Sequence, residues 1–220
     1  MVEDIYNGVD TYLSLKSQYQ SGDYSPIILS KLSDKCQSNH DPQFCEQVYT
    51  KIVSLKDQLN NQTLTSANLF FAKKDLDKGS TKLMLDLISS SKDPSLISDA
   101  YLSMINYYRS NDDTDSESTL YKKFSDNVKG DPSVLNGYAW RMTELGVNLE
   151  DALIKSDIAI GLSFDNPSLQ SYILDTKAEI LWLLGRAGEA VNAINLAIDI
   201  DSKSDYFIEQ KNKFQDLSEE

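Results

Sequence analysis

The residues of this chain best suited to redox or metal chemistry are its two cysteines and its single histidine, and they fall together as Cys36, His40 and Cys45. The spacing Cys-x3-His-x4-Cys offers three ligands with no fourth nearby, whereas structural zinc takes four in a tetrahedron. No metal site is therefore expected. The sulfurs flank the turn-like stretch Gln37-Ser38-Asn39-His40-Asp41-Pro42. If one helix ends near Ser38 and the next starts at Pro42, each sulfur lies about one turn from the corner of a hairpin. A disulfide between Cys36 and Cys45 is then within reach, provided the Cα atoms lie within roughly 7 Å. Two reduced thiols packed in the hairpin core fit the same pattern. The first arrangement implies a periplasmic or extracellular site and the second a cytoplasmic one.

Little else in the sequence could do chemistry. There is no Gly-x-x-x-x-Gly-Lys phosphate loop, no Gly-x-Gly-x-x-Gly after a strand and no Cys-x-x-Cys. With 34 acidic residues, close carboxylate pairs are expected by number alone. The acidic run Asn111-Asp-Asp-Thr-Asp-Ser-Glu117 lacks the glycine and the terminal glutamate spacing of a calcium loop, and reads as an exposed turn that caps the following helix. A non-enzymatic protein without a cofactor is expected.

Charge narrows the partners. The 21 basic and 34 acidic residues give a formal charge of -13, and no basic cluster interrupts the acidic field, so nucleic acid is not an expected partner. No apolar run approaches the roughly 18 residues that a membrane span needs. Met1-Val2-Glu3-Asp4 lacks the basic start of a signal peptide. A hydrophobic fraction of 40% is enough to bury a core.

All five prolines follow a residue able to cap a helix: Ser25-Pro26, Asp41-Pro42, Asp93-Pro94, Asp131-Pro132 and Asn166-Pro167. A capping oxygen accepts an orphan amide of the first turn, and proline suits the first helical position because its missing N–H would go unpaired there. Each pair thus marks a helix start. Between these marks apolar residues recur at three and four, as in Leu83, Leu87 and Ile88, and in Ile97, Ala100, Tyr101, Met104, Ile105 and Tyr108. Helices are predicted near 3–20, 26–38, 42–60, 64–74, 77–91, 94–110, 115–129, 132–145, 149–163, 168–185, 187–199 and 204–217. No segment shows the period of a strand.

Two stretches repeat. Leu135, Ala139 and Gly146 match Leu174, Ala178 and Gly185 at an offset of 39, and Ala152 and Ala159 match Ala190 and Ala197 at 38. The later copy, Leu174, Ala178, Leu181, Gly185, Ala190, Ile194 and Ala197, resembles the tetratricopeptide repeat, with small residues where two helices touch. It departs from that pattern in Leu174, Lys177 and Ser202, which replace the usual Trp, Leu and Pro. The earlier copy, 132–163, carries one extra residue between Gly146 and Ala152. The resemblance implies an all-α, right-handed solenoid of antiparallel helix pairs, with roughly 10–12 helices. The expected organisation is an N-terminal helical segment over 1–60, degenerate helix pairs over 61–131, two repeats over 132–203 and a capping helix over 204–220, with Phe207, Phe214 and Leu217 on its apolar side.

In that family the first helix of each pair lines a concave groove that receives a peptide or helix. Carried over by position, the groove residues are Asn136, Trp140, Thr143 and Glu144 in one repeat, then Tyr172, Asp175, Glu179, Trp182 and Leu183 in the next. Tryptophan and tyrosine are common binding hot spots. Clamps for a free carboxylate use lysine, arginine and asparagine, of which only Asn136 is matched, while Glu144, Asp175 and Glu179 suggest a basic or neutral protein or peptide ligand. A second resemblance links Leu135-Asn-Gly-Tyr-Ala-Trp140 and the following repeat to helical extensions of bacterial thioredoxin-fold proteins, which implies an accessory domain of a disulfide-handling protein. Self-association by stacking of solenoid ends is a third reading.

Overall fold

The structure is a computed structural model that describes residues 11–36 and 41–216. Within these residues lie twelve α-helices and no strand: α1 (Tyr12–Gln20), α2 (Pro26–Cys36), α3 (Pro42–Ser54), α4 (Asn61–Leu76), α5 (Lys82–Ser90), α6 (Pro94–Ser110), α7 (Thr114–Asn127), α8 (Pro132–Leu145), α9 (Leu149–Leu162), α10 (Pro167–Leu183), α11 (Ala187–Ile200) and α12 (Asp205–Asp216). None of the described helices is long and apolar enough to cross a membrane. Residues 3–10 of the predicted first helix, the turn with His40, and Leu217 lie outside the described residues.

All five prolines open helices, as their capping partners imply. The side chains of Asp41, Asp131 and Asn166 accept the amides of Phe44, Val134 and Leu169, and Asp93 accepts that of Ser95. Two boundaries differ from the sequence reading. The helix predicted over 42–60 ends at Ser54 and a 3-10 turn follows over Lys56–Gln58, so the chain re-enters helix at Asn61. There the Asn60 side chain accepts the Thr63 amide at 2.8 Å, a cap that moves the start of α4 ahead of the predicted 64.

The chain divides into two compact units, 1–107 and 108–220. In the first, α1 to α4 pack around Leu15, Leu29, Leu32, Phe44, Val48 and Ile52. Cys36 and Cys45 are joined by a disulfide across the α2–α3 corner, with Cα atoms 5.5 Å apart, and both are buried. Closing so short a loop restricts the unfolded chain by about 2–3 kcal/mol. Helix α5 corrects one expected face: Met84 is buried while Leu83 is exposed. It packs chiefly on α4, and a helix with a single neighbour buries a narrower stripe than the sequence pattern offers.

In the second unit α8 pairs with α9 and α10 with α11, the first helices α8 and α10 lie against each other, and α12 packs on α11 and α10. The extra residue of the earlier repeat is absorbed in the α8–α9 turn. Gly146 caps α8 at φ 66° and Asn148 takes φ 52°, a left-handed conformation that asparagine tolerates better than most residues. The departure at Lys177 is matched by an ion pair to Asp157 of α9 at 2.6 Å.

One close approach fixes how α7 meets α8. A Cβ added to Gly137 would sit 2.6 Å from the Tyr121 hydroxyl. That oxygen ends a buried, rigid ring, so the backbones themselves would have to part. Gly137→Ala is expected to cost about 1–3 kcal/mol in urea unfolding, and Tyr121→Phe, which deletes the obstructing oxygen, should recover most of it. An unchanged midpoint in the single variant would contradict this contact.

Candidate functional site

The expected groove residues lie on α8 and α10, and α12 decides which of those on α10 are available. Tyr206 donates to the Asp175 carboxylate at 3.0 Å, and Phe207 packs edge-on to the Tyr172 ring at 5.8 Å. One turn or two further along, Lys213 bonds both oxygens of Glu179 at 2.7 and 2.8 Å and lies 4.3 Å above the Trp182 ring, against which Phe214 also packs. Phe207 and Phe214 are buried by these contacts. Four of the five groove positions assigned to α10 are thus occupied by the chain's own last helix. Tyr172 keeps much of its ring in solvent all the same, while Asp175 is buried.

Burial, with Glu179 close by, pushes the Asp175 carboxyl up to about 6, even though Tyr206 and Lys213 pull it down. The acids expected to make the groove negative are all engaged. Glu144 accepts from Arg141 at 2.9 Å, Glu179 is paired with Lys213, and Asp175 is hydrogen-bonded to Tyr206. The inference of a basic ligand from these three side chains therefore loses its footing.

On α8 the picture is different. Thr143 is buried and its hydroxyl donates to the Trp140 carbonyl, so it supports the helix and offers nothing outward. Trp140 is 39% exposed. One turn before it, the Asn136 Oδ1 is buried and has no hydrogen-bond partner among the described residues. An acceptor in that state costs free energy until a donor reaches it. An open indole beside an unsatisfied amide oxygen can stack an apolar side chain and receive an N–H. At the far end of α10, Trp182 and Leu183 join Gly185 and Ala187 around a shallow cleft of about 310 Å³.

The parts that hold α8 in place were not found from the sequence. Glu117 is buried and receives Arg141 through Nε at 2.8 Å and Nη2 at 2.9 Å, and Arg109 through Nε at 2.8 Å. Burial alone would raise its pKa, but the two guanidiniums outweigh it and hold the carboxylate low. A second set centres on Tyr138, fully buried, which donates to Asp151 at 2.8 Å, while Lys122 bridges Asp151 and Asp126 and buried Lys155 pairs with Asp126. Glu117 was read only as the end of an acidic loop. Its partners come from α6 and α8, 8 and 24 residues away, and no local pattern announces them.

No protein-family model matches the sequence, and no curated protein matches it. Among solved structures the chain is similar to the crystal structure of YrrB, described as a TPR protein with an unusual peptide-binding site. The TM-score is 0.59 at 11% identity, covering 92% of this chain and all of that one. With its helix pairs, its small residues at the crossings and this likeness, the chain has the all-α fold of a tetratricopeptide-repeat protein.

Proposed function

We propose that this chain is a non-enzymatic scaffold that binds a protein or peptide segment on the face of α8, through Trp140 and Asn136, with Tyr172 and Leu183 at the margin. The observation that carries the reading is the pairing, one turn apart, of an exposed indole and a buried amide oxygen without a donor. Such a pair suits an extended or helical segment that lays an apolar side chain on the indole and, by displacing what covers the Asn136 oxygen, brings an N–H to it. The shared fold adds support, since YrrB is described as having a peptide-binding site. The two repeats of 132–203 carry the surface and the segment after them caps it. A neutral or basic ligand is favoured by the net charge of -13 rather than by the groove acids.

The test is selection of peptides from a random display library on the full chain, followed by affinity measurement on variants. Trp140→Ala is expected to weaken the selected peptides at least tenfold, and Asn136→Leu several-fold, with unchanged circular dichroism. Selected peptides that bind Trp140→Ala as tightly as the parent chain would overturn the reading.

A further inference from the structure

Helix α9 is amphipathic in the wrong direction. Its buried side is made of Ala152, Leu153, Lys155, Ser156 and Ala159, small or polar for the most part, whereas three larger apolar residues point to solvent: Ile154 at 59% exposure, Ile158 at 42% and Leu162 at 39%. They recur at every fourth position and so form one stripe. Phe164, in the turn that follows, extends it at 77% exposure. Single exposed apolar residues are ordinary on a protein surface, but a continuous stripe on one helix face marks an interaction surface.

The charges around the stripe say what would cover it. The basic residues that form ion pairs at α9 are Lys122 and Lys155 with Asp126 and Asp151, Lys177 with Asp157, and Arg186 with Glu189, and Arg186 also lies near enough to Glu150 to act on its charge. Two exposed acids have no ion-pair partner among the described residues, Glu150 at the start of the stripe and Asp165 beyond its end. Glu150 and Leu162 stand about 18 Å apart along the helix, at roughly 1.5 Å per residue, and Asp165 lies in the turn past its end. A second copy of this chain would set acid against acid in either orientation, and an anionic lipid surface would be repelled.

We propose that the outward face of α9 docks an amphipathic helix of another protein, about four turns long, with its own apolar stripe and basic residues near both ends. Apolar contact along Ile154, Ile158 and Leu162 supplies the affinity, and Glu150 and Asp165 set the register. This surface is separate from Trp140 and Asn136 and does not depend on the binding proposed there.

The test uses a fluorescent 15-residue helical peptide with leucine at every fourth position and lysines at both ends, and a copy with glutamate in place of lysine, each titrated with the full chain. The lysine peptide is expected to bind at least tenfold more tightly than the glutamate peptide. Ile154→Asn with Ile158→Asn should weaken it at least tenfold, and Glu150→Lys with Asp165→Lys several-fold, with a steep loss in added salt. All four positions are exposed, so the fold should survive, as circular dichroism will show. Equal binding of the two peptides, or indifference to both double variants, would overturn the proposal. So would loss of binding confined to Trp140→Ala, which would place the peptide on α8. Dimerisation in sedimentation that Ile158→Asn abolishes would assign the stripe to a second copy, and capture by anionic vesicles would assign it to a membrane. Either result would overturn the proposal too.

Discussion

Glu117→Ala is expected to lower the stability of the second unit by about 3–5 kcal/mol, the range seen when one partner of a buried ion pair is removed. The cost comes from what is left behind. Arg141 loses both of its bonds to Glu117 and keeps only Glu144, while Arg109 is left without the carboxylate it bonds. Truncating Arg109 instead should cost no more than about 1 kcal/mol, because 44% of its side chain is exposed and Glu117 keeps both of its bonds from Arg141. Both tryptophans, Trp140 and Trp182, belong to the second unit, so their fluorescence in urea follows this part of the chain. The arginines hold the folded-state pKa of Glu117 below its unfolded value, so its contribution is present above about pH 4 and is lost as pH falls through the lower folded value. A loss under about 1 kcal/mol for Glu117→Ala would mean that the three side chains do not act as one buried unit.

Asp175→Asn is expected to stabilise the docking of α12 near neutral pH. The parent carboxyl has its folded pKa raised to about 6 from 3.8, so its favourable contribution is fully present below the unfolded pKa and disappears as pH rises through 6. That rise corresponds to about 3 kcal/mol, an upper figure for what the charged form costs at pH 7.5. Asparagine keeps an oxygen for the Tyr206 hydroxyl and removes the charge from beside Glu179. The gap in stability between variant and parent should be constant above about pH 6.5 and should narrow between pH 6 and 4. Amide exchange in α12 reports the same change locally, being slower in the variant at pH 7.5 and equal in the two proteins near pH 4. A gap that widens on acidification would show that Asp175 is stabilised in its charged form.

The fold was largely legible because its signals are local. A capping oxygen followed by proline specifies a helix start within two residues, and Ala and Gly at fixed offsets specify where two helices cross. The boundary at Ser54 carried neither proline nor glycine and was read through. The α12 face was legible as Phe207 and Phe214, but the surface it covers was not, since Asp175, Glu179 and Trp182 look the same whether they meet a ligand or the chain's own last helix. For the same reason the nine expected groove residues differ in availability: Trp140, Tyr172 and Leu183 stay exposed without a charged partner, and Asn136 holds the unsatisfied oxygen. The α9 stripe was hidden because apolar residues occur on both sides of the helix, Leu153 and Ala159 on one and Ile154 and Ile158 on the other, and periodicity does not say which of the two faces inward.

The proposed binding at Trp140 and Asn136 implies a contrast between the two tryptophans, one open on α8 and one packed against Lys213 and Phe214. Fluorine NMR of the chain labelled with 5-fluorotryptophan, titrated with a peptide selected on the full chain, measures that contrast directly. The Trp140 resonance is expected to shift and saturate with the peptide while that of Trp182 moves little. A shift at Trp182 with Trp140 unmoved would contradict this expectation, and would show that the ligand displaces α12 from the face of α10.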